Sequence, residues 1–510
     1  MEELSALIRG AATEKIRKHE RSVKSAQDET KRRSRRTSRS GASLEVSRPR
    51  LWEYAPSHDP FRVRARADVI GHAIGTRIKE RRYQPFPPAG VQIPKADGSY
   101  RSVTAFAIAD EVVSKRLYVS LMNKNRARLS ARSYAYRKDL GVHDAIAHMQ
   151  SEWRTEHRVY VAEYDFTDFF GSIDHRHVWR TIEELGLSIT RTERKLLGAF
   201  MRAPLPTMLP AKMPSDAPRR EKGIHQGSTI SLLLANIAAT PLDRQFERLG
   251  VSFARYADDV VVWSRDYESI SRAVEELHRF ADRSQCSINH GKSEGVRLLT
   301  SPASSKAEFR STHAIEFLSH RLSLRETALA DRVVADVKRE VDQYIFNHLL
   351  REPLRGQQDP RRLRDNLDRD YVALLSQLRR YFYGNLSEGQ LRRLLRGPLP
   401  PRISLGGLLG RQPLVDDMEQ LREIDAWVLS RVWLALRKRA KLLRGLAPSD
   451  PMPWGMTQIQ LTELMARSRR GDRVDGRVPS LVRMSELMQR AVRAHGTRVA
   501  HYAGSLYQWH

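Results

Sequence analysis

Two adjacent aspartates, Asp258 and Asp259, interrupt a run (SFARYADDVVVW) whose flanks are strongly β-forming, which predicts a hairpin turn carrying two carboxylates. Neighbouring carboxylates on a tight turn repel each other and cost stability unless a hard cation such as Mg²⁺ neutralises them. Taken alone, the dipeptide reads first as an exposed Asp-Asp turn. A third carboxylate changes that reading. The segment VYVAEYDFTDFFGSIDH runs from an apolar strand directly into Asp165 and then turns through Phe169 and Phe170. Phosphoryl or nucleotidyl transfer by two divalent ions needs carboxylates from separate strands within reach of both metals, and Asp165 with Asp258 is the minimum set. Asp168 and Asp174 are rivals for Asp165, either of them suited to cap the helix expected to start near His175.

Composition points the same way. Among 510 residues, 88 Lys and Arg stand against 60 Asp and Glu, a net charge of +28 that favours polyanionic partners over neutral metabolites. Residues 1–50 carry 14 basic and 7 acidic side chains, and residues 361–510 carry 27 and 14, so the flanks are more basic than the centre. The single cysteine, Cys286, excludes an intramolecular disulfide and a zinc site built on several thiolates. No apolar stretch approaches the length of a membrane span, and the N-terminus lacks a signal-peptide core. A cytoplasmic protein is expected.

The elements that must position the carboxylates follow from patterning. Between about 51 and 325, short β-rich runs alternate with helical segments such as 268–285, and beyond 330 the pattern is almost wholly helical. Leu421, Ile424, Val428, Val432, Ala435 and Leu442 recur at helical spacing, with Arg431, Lys438 and Lys441 on the rest of the surface. The Arg- and Ser-rich run from Lys31 to Ser47 reads as a mobile arm, either a solvated tail or an RNA-binding segment. Pro- and Gly-rich breaks near 397–413 and 445–455 separate the later helical groups.

Several motifs in order resemble those of bacterial reverse transcriptases, the lineage of group II intron, retron and phage-defence enzymes, with most likeness to the defence-associated group. Tyr256-Ala257-Asp258-Asp259 resembles the family's Tyr-X-Asp-Asp box, and Asp165-Phe166-Thr167-Asp168-Phe169-Phe170 its first aspartate motif. The resemblance implies Mg²⁺, or Mn²⁺ in its place, held by Asp165, Asp258, Asp259 and the Phe166 carbonyl. It makes Phe170 a steric gate against the ribose 2′-hydroxyl, a rigid ring excluding one extra oxygen; the plain alternative is a core phenylalanine. GIHQGSTISLLLANIAATPLD resembles the segment in which Gln226 and Gly227 touch the incoming nucleotide and template, although His225 and Leu232 stand where intron-type relatives have Pro. IPKADGSYR resembles the fingers hairpin, with Lys95 and Arg101 on the triphosphate. Ser133 to Arg137 approximates a template-contacting motif, Lys292 matches a lysine that serves the pyrophosphate, and Phe317-Leu318-Ser319 stands where the primer grip has Phe-Leu-Gly.

These motifs span about 93–320 and imply an α+β, right-hand polymerase. The expected layout is a basic N-terminal arm (1–50), a fingers and palm domain (51–330), and a basic α-helical thumb and C-terminal domain (331–510). Arg379, Arg380, Tyr381 and Tyr383 would offer charge and stacking surfaces to nucleic acid, or pack as a core cluster. The expected function is RNA-directed DNA synthesis from dNTPs on a bound, structured non-coding RNA, with antiviral defence as its setting, no membrane partner and room for a homo-oligomer. Tyr502 and Tyr507 are candidates for protein priming, against plain aromatic packing. The rival functions are a template-independent terminal transferase and a non-catalytic RNA-binding or maturase-like scaffold.

Overall fold

The computed structural model describes residues 2–37, 45–94, 98, 100–208, 220–291, 293–301, 310–364, 366–447, 450–467 and 473–500. Helices and sheets are mixed, as an α+β fold requires.

The architecture centres on a five-stranded sheet in which the strand Arg158–Tyr164 lies between Asp259–Ser264 and Gly295–Thr300, both antiparallel to it. Ser252–Tyr256 flanks the first of these neighbours, and a short parallel strand, Ser311–Thr312, closes the other edge. The central strand's RVYVAEY sequence alternates so that Val159, Val161, Ala162 and Tyr164 are buried. One apolar core includes the helices Ile108–Asn125, Thr229–Leu249 and Tyr267–Ser284. A second, built around Trp153, Val161, Val261 and Trp263, covers other residues of the same strands. A sheet with a core on each face explains the near-continuous apolar run VVVW. Ahead of the sheet, Ala89–Pro94 and Tyr100–Ala105 form an antiparallel hairpin whose turn contains Gly98 at φ +80°.

Residues 329–499 build a separate, mostly helical core. Its longest member, Met418–Leu443, starts at Asp417, whose side chain accepts from the Gln420 N–H. The helix buries Leu421, Ile424, Val428, Val432 and Ala435 as the spacing predicts, but Leu442 is 41% exposed. Leu436, Arg439 and Leu443 take the inward positions instead, because the buried stripe continues at steps of three and four residues beyond Ala435. Arg439 is fully buried. Its guanidinium meets both Asp368 and Asp370, at 2.6 and 2.8 Å, and donates to the Leu349 carbonyl at 2.7 Å. Trp454 adds an indole N–H to Asp368 at 2.8 Å.

The expectation of a loose arm does not hold where the structure describes it. Residues Glu2–Arg36 form one helix of 35 residues, about 52 Å long at the usual rise. Leu4, Ile8, Ala12 and Ile16, each four residues after the last, line its buried face, and the first three join the first core. At the far end Arg36 is buried and donates to the Asn347 carbonyl at 3.3 Å, while Thr37 pairs with Gln358. The basic run 31–36 is thus the last turns of a helix that reaches the C-terminal core; residues 38–44 lie outside the described residues. No helix among the described residues is long and apolar enough to cross a membrane.

Candidate active site

The register of the sheet decides which carboxylates meet. Tyr164 pairs with Val260, so Asp165, the next residue, continues opposite Asp259 at the same end of the sheet. Tyr256 pairs with Asp259 across a two-residue turn made of Ala257 and Asp258. Ala257 adopts φ +62°, the left-handed conformation that such hairpin turns demand at their first central residue. Three carboxylates therefore gather at one sheet end, Asp259 exposed and Asp165 and Asp258 half-buried.

The rival aspartates have other work. Asp174 caps the helix His175–Glu184 by accepting from the Arg176 N–H at 2.8 Å. Asp168 precedes the short turn Phe169–Ser172 with φ +45° and lies against Gly171, where a Cβ would come within 2.1 Å of its carboxylate.

Buried hydrogen bonds hold the turn. Arg255, 1% exposed, makes a bidentate pair with the fully buried Asp243, both contacts at 2.7 Å. The same guanidinium donates to the Ala257 carbonyl at 3.0 Å, to Asn236 at 3.2 Å and to the Ser133 hydroxyl at 2.8 Å. A fork satisfied on every prong, and anchored by Asp243, Asn236 and Ser133 on other segments, fixes the strained residue two positions along the chain. Asp165 has its own support: the Asn289 side-chain amide donates to its Oδ2 at 3.1 Å, and the Asn289 backbone N–H donates to its carbonyl at 2.8 Å. An isolated antiparallel bridge joins Phe166 to Ile288, and the flanking bonds use the Asp165 carbonyl and the Thr167 N–H, which leaves the Phe166 carbonyl outside that ladder.

Neither support was read from the sequence. Asn289 stood in a motif noticed only for its lysine, and Arg255 stood beside the Tyr-X-Asp-Asp box. A charge inside an apolar strand was the available signal for Arg255.

Phe170 is buried, its ring 6.4 Å from that of Tyr136, which lies 6.5 Å from the ring of Tyr256. An aromatic row thus leads from the first aspartate motif to the turn. The Phe170 carbonyl accepts from the Ile224 N–H at 2.7 Å, tying it to the segment that holds Gln226 and Gly227. Gln226 is half-buried, and its carbonyl accepts from the Thr104 N–H at 2.7 Å. Gly227 sits against the same strand so closely that a Cβ would lie 1.8 Å from the Thr104 carbonyl oxygen. Arg101 is exposed on that strand.

His225, the departure from the intron-type pattern, is a buried tie. Its Nε2 contacts the Ala203 carbonyl at 3.0 Å and its Nδ1 approaches the Thr104 hydroxyl at 3.3 Å and Arg220 at 3.2 Å. Burial lowers its pKa to about 4. Phe317 and His320 pair across the turn Leu318-Ser319, where φ is +49° and +66°. Both positive values define a type I′ turn without a glycine. Lys95, Lys292, Tyr502 and Tyr507 lie outside the described residues.

Among the described residues, no three or more His, Cys, Asp or Glu side chains are close enough to hold a metal ion together. The sheet end is not a preformed cage. Mg²⁺ does not need one, since it is commonly held by one or two carboxylates with substrate phosphates and water completing the octahedron. A donor set of hard carboxylate oxygens and a backbone carbonyl outside the sheet ladder fits that cation.

Residues 93–322 match the family model described as reverse transcriptase (RNA-dependent DNA polymerase). The matched region, just under half of the chain, takes in the five-stranded sheet and most of the hairpin formed by Ala89–Pro94 and Tyr100–Ala105. Among curated proteins it is 25% identical to Protein YkfC of Escherichia coli (strain K12) over 188 residues, 36% of this chain and 46% of YkfC, less than half the length of that relative. Similar solved structures include telomerase from Candida albicans in complex with a fragment of telomeric RNA (TM-score 0.40, 12% identity, 72% of this chain and 58% of that one). Apo telomerase from Candida tropicalis gives a TM-score of 0.38 at 11% identity, covering 80% and 63%.

Proposed function

We propose that the chain is an RNA-directed DNA polymerase that adds dNTPs to a primer hydroxyl on an RNA template. The observation that supports this reading is the strand register: Tyr164 pairs with Val260 and Tyr256 with Asp259, so Asp165, Asp258 and Asp259 follow at one sheet end, within the region that matches the reverse transcriptase family model. Asp165, Asp258, Asp259 and the Phe166 carbonyl would hold Mg²⁺, which when bound supplies charge neutralisation to the reacting phosphate and its leaving group. Asn289 orients Asp165, and Arg255 holds the turn that presents Asp258. Phe170 limits the room beside the sugar, Gln226 and Gly227 face the nucleotide, and Arg101 with Lys95 and Lys292 neutralises the triphosphate. Leu318 and Phe317 form the primer-grip turn.

The net charge of +28 supports a bound structured RNA as the template source. We place the activity in the cytoplasm, in antiviral defence, on the strength of the motif resemblance. Labelled dNTP incorporation by protein purified with its bound RNA, beside the Asp258→Ala/Asp259→Ala variant, tests the reading. Mg²⁺-dependent product complementary to the RNA and absent from the variant supports it. Homopolymer made without template would replace it with terminal transfer, and no incorporation on any RNA would leave a binding scaffold. Phage plating efficiency with the same pair of genes tests the defence role.

A further inference from the structure

The segment LRRYFYGN divides in the folded protein. Arg379 is turned inward, donating to the Asp475 and Arg477 carbonyls at 3.0 and 2.8 Å, and the Tyr383 hydroxyl is buried and accepts from the Ser480 N–H at 2.7 Å. Those two are core, contrary to the surface role entertained for them. Arg380 and Tyr381 instead line a cleft of about 350 Å³ between the helices Asp331–Ile345 and Arg369–Tyr383 and the loop around 404–411. Tyr344, Gln377, Asn385 and Arg411 complete the lining that matters here.

The chemistry of that lining is specific. The Tyr344 and Tyr381 rings lie 5.8 Å apart at 81°, edge to face, so the pair presents a π-surface that is braced from one side. Arg380 and Arg411 are exposed, and neither guanidinium makes a hydrogen bond or ion pair with another described residue. Two exposed guanidinium forks at one cleft can meet the oxygens of one anion together. Glu340 and Asp336 act on Tyr381 from the facing helix, which leaves the arginine side as the anion's place. Gln377 and Asn385 each donate and accept, as the polar edge of a base requires. The floor is backbone: at Gly407, φ +77°, a Cβ would lie 2.3 Å from the Phe382 carbonyl oxygen, and one at Gly384 would lie 2.8 Å from Gly406. Such contact keeps the cleft's shape from collapsing onto the rings.

We propose that this cleft binds one unstacked nucleotide, its base against Tyr381 and Tyr344 and its phosphate on Arg380 and Arg411. Aromatic stacking with cationic backbone contacts is the general means of holding single-stranded nucleic acid. The site is independent of the polymerase reading, since a chain unable to polymerise could still use it.

The test is ultraviolet cross-linking of the full chain to a short uridine-rich oligoribonucleotide, with peptide mapping, alongside equilibrium binding of that oligomer and of AMP and UMP. Wild type is compared with Arg380→Ala/Arg411→Ala, Tyr381→Ala and Tyr381→Phe. A cross-link in the peptides holding Tyr344 or Tyr381 is expected, with oligomer affinity about tenfold weaker in the double arginine variant and in Tyr381→Ala, and retained in Tyr381→Phe. The thermal midpoint of the double arginine variant should match wild type, because neither arginine supports the fold. Loss of the cross-link in excess mononucleotide identifies a free nucleotide as the ligand; persistence identifies a nucleotide within a strand. Cross-links confined to other peptides, or arginine variants that bind as wild type does, would overturn the proposal. The Asp258→Ala/Asp259→Ala variant, cross-linked in parallel, separates failure of this site from failure of the polymerase.

Discussion

At the residue scale, chemistry depends on side chains that never touch substrate. Asn289 fixes Asp165 through its amide, and loss of such an outer partner commonly costs 10–100-fold in affinity or activity. Asn289→Ala should therefore slow incorporation by about 10–100-fold and move the Mg²⁺ titration midpoint upward, with an unchanged thermal midpoint. An unchanged Mg²⁺ midpoint would show that the amide does not orient the carboxylate. Phe170 packs against Tyr136, so shortening the ring opens space on the side where a sugar would lie. Phe170→Val is expected to raise the ratio of rNTP to dNTP incorporation by about tenfold, a factor typical of small pocket changes. The ratio itself is the readout, because lost packing alone would lower both rates together.

At the element scale, the hairpin turns at Ala257 and at Leu318-Ser319 carry left-handed residues without glycine, and Gly227 carries a contact. Ser319 at φ +66° follows Leu318 at φ +49° in the hairpin 315–322. An L-residue in that region costs about 1–2 kcal/mol, partly offset by the entropy glycine adds to the unfolded chain. Ser319→Gly is expected to stabilise by about 0.5–1 kcal/mol in urea unfolding. Gly227→Ala should do the reverse and abolish incorporation, since its Cβ would enter the Thr104 carbonyl at 1.8 Å and push the fingers strand away from Gln226. A fully active Gly227→Ala would mean that the contact between these segments is dispensable.

At the scale of the whole molecule, stability rests on buried polar ties between distant segments. Arg439 serves two aspartates in the C-terminal core. Arg439→Met removes the guanidinium from the fully buried Asp368 and leaves Asp370 paired with Arg362, and breaking a buried pair costs about 3–5 kcal/mol. Denaturant unfolding of the full chain measures it. Acid should act through His225 and His320, each buried and each held near a pKa of about 4 by desolvation. Both lie below the unfolded value, so between about pH 6.5 and 4 the unfolded chain binds more protons and stability falls as pH is lowered through that window. His320→Asn should flatten this slope in thermal unfolding between pH 7 and 5.

The sequence by itself determined the local units and the chemical alphabet. Asp165 at a strand end, the Ala257-Asp258 turn, the helix near 268–285 and the helix starting at His175 are all legible, because each depends on side-chain periodicity, caps and turn residues a few positions apart. The long basic helix at the N-terminus was misread because the Arg and Ser content of 31–47 outweighed the stripe at Leu4, Ile8, Ala12 and Ile16, whose partners are far away in the chain. Only the tertiary structure decided that Asn289 meets Asp165, that Arg255 pairs with Asp243, and that Arg379 and Tyr383 turn inward while Arg380 and Tyr381 line a cleft. These outcomes depend on register and packing between segments 12 to 124 residues apart, where the free energy of a contact is set by the desolvation and hydrogen bonding of both partners together.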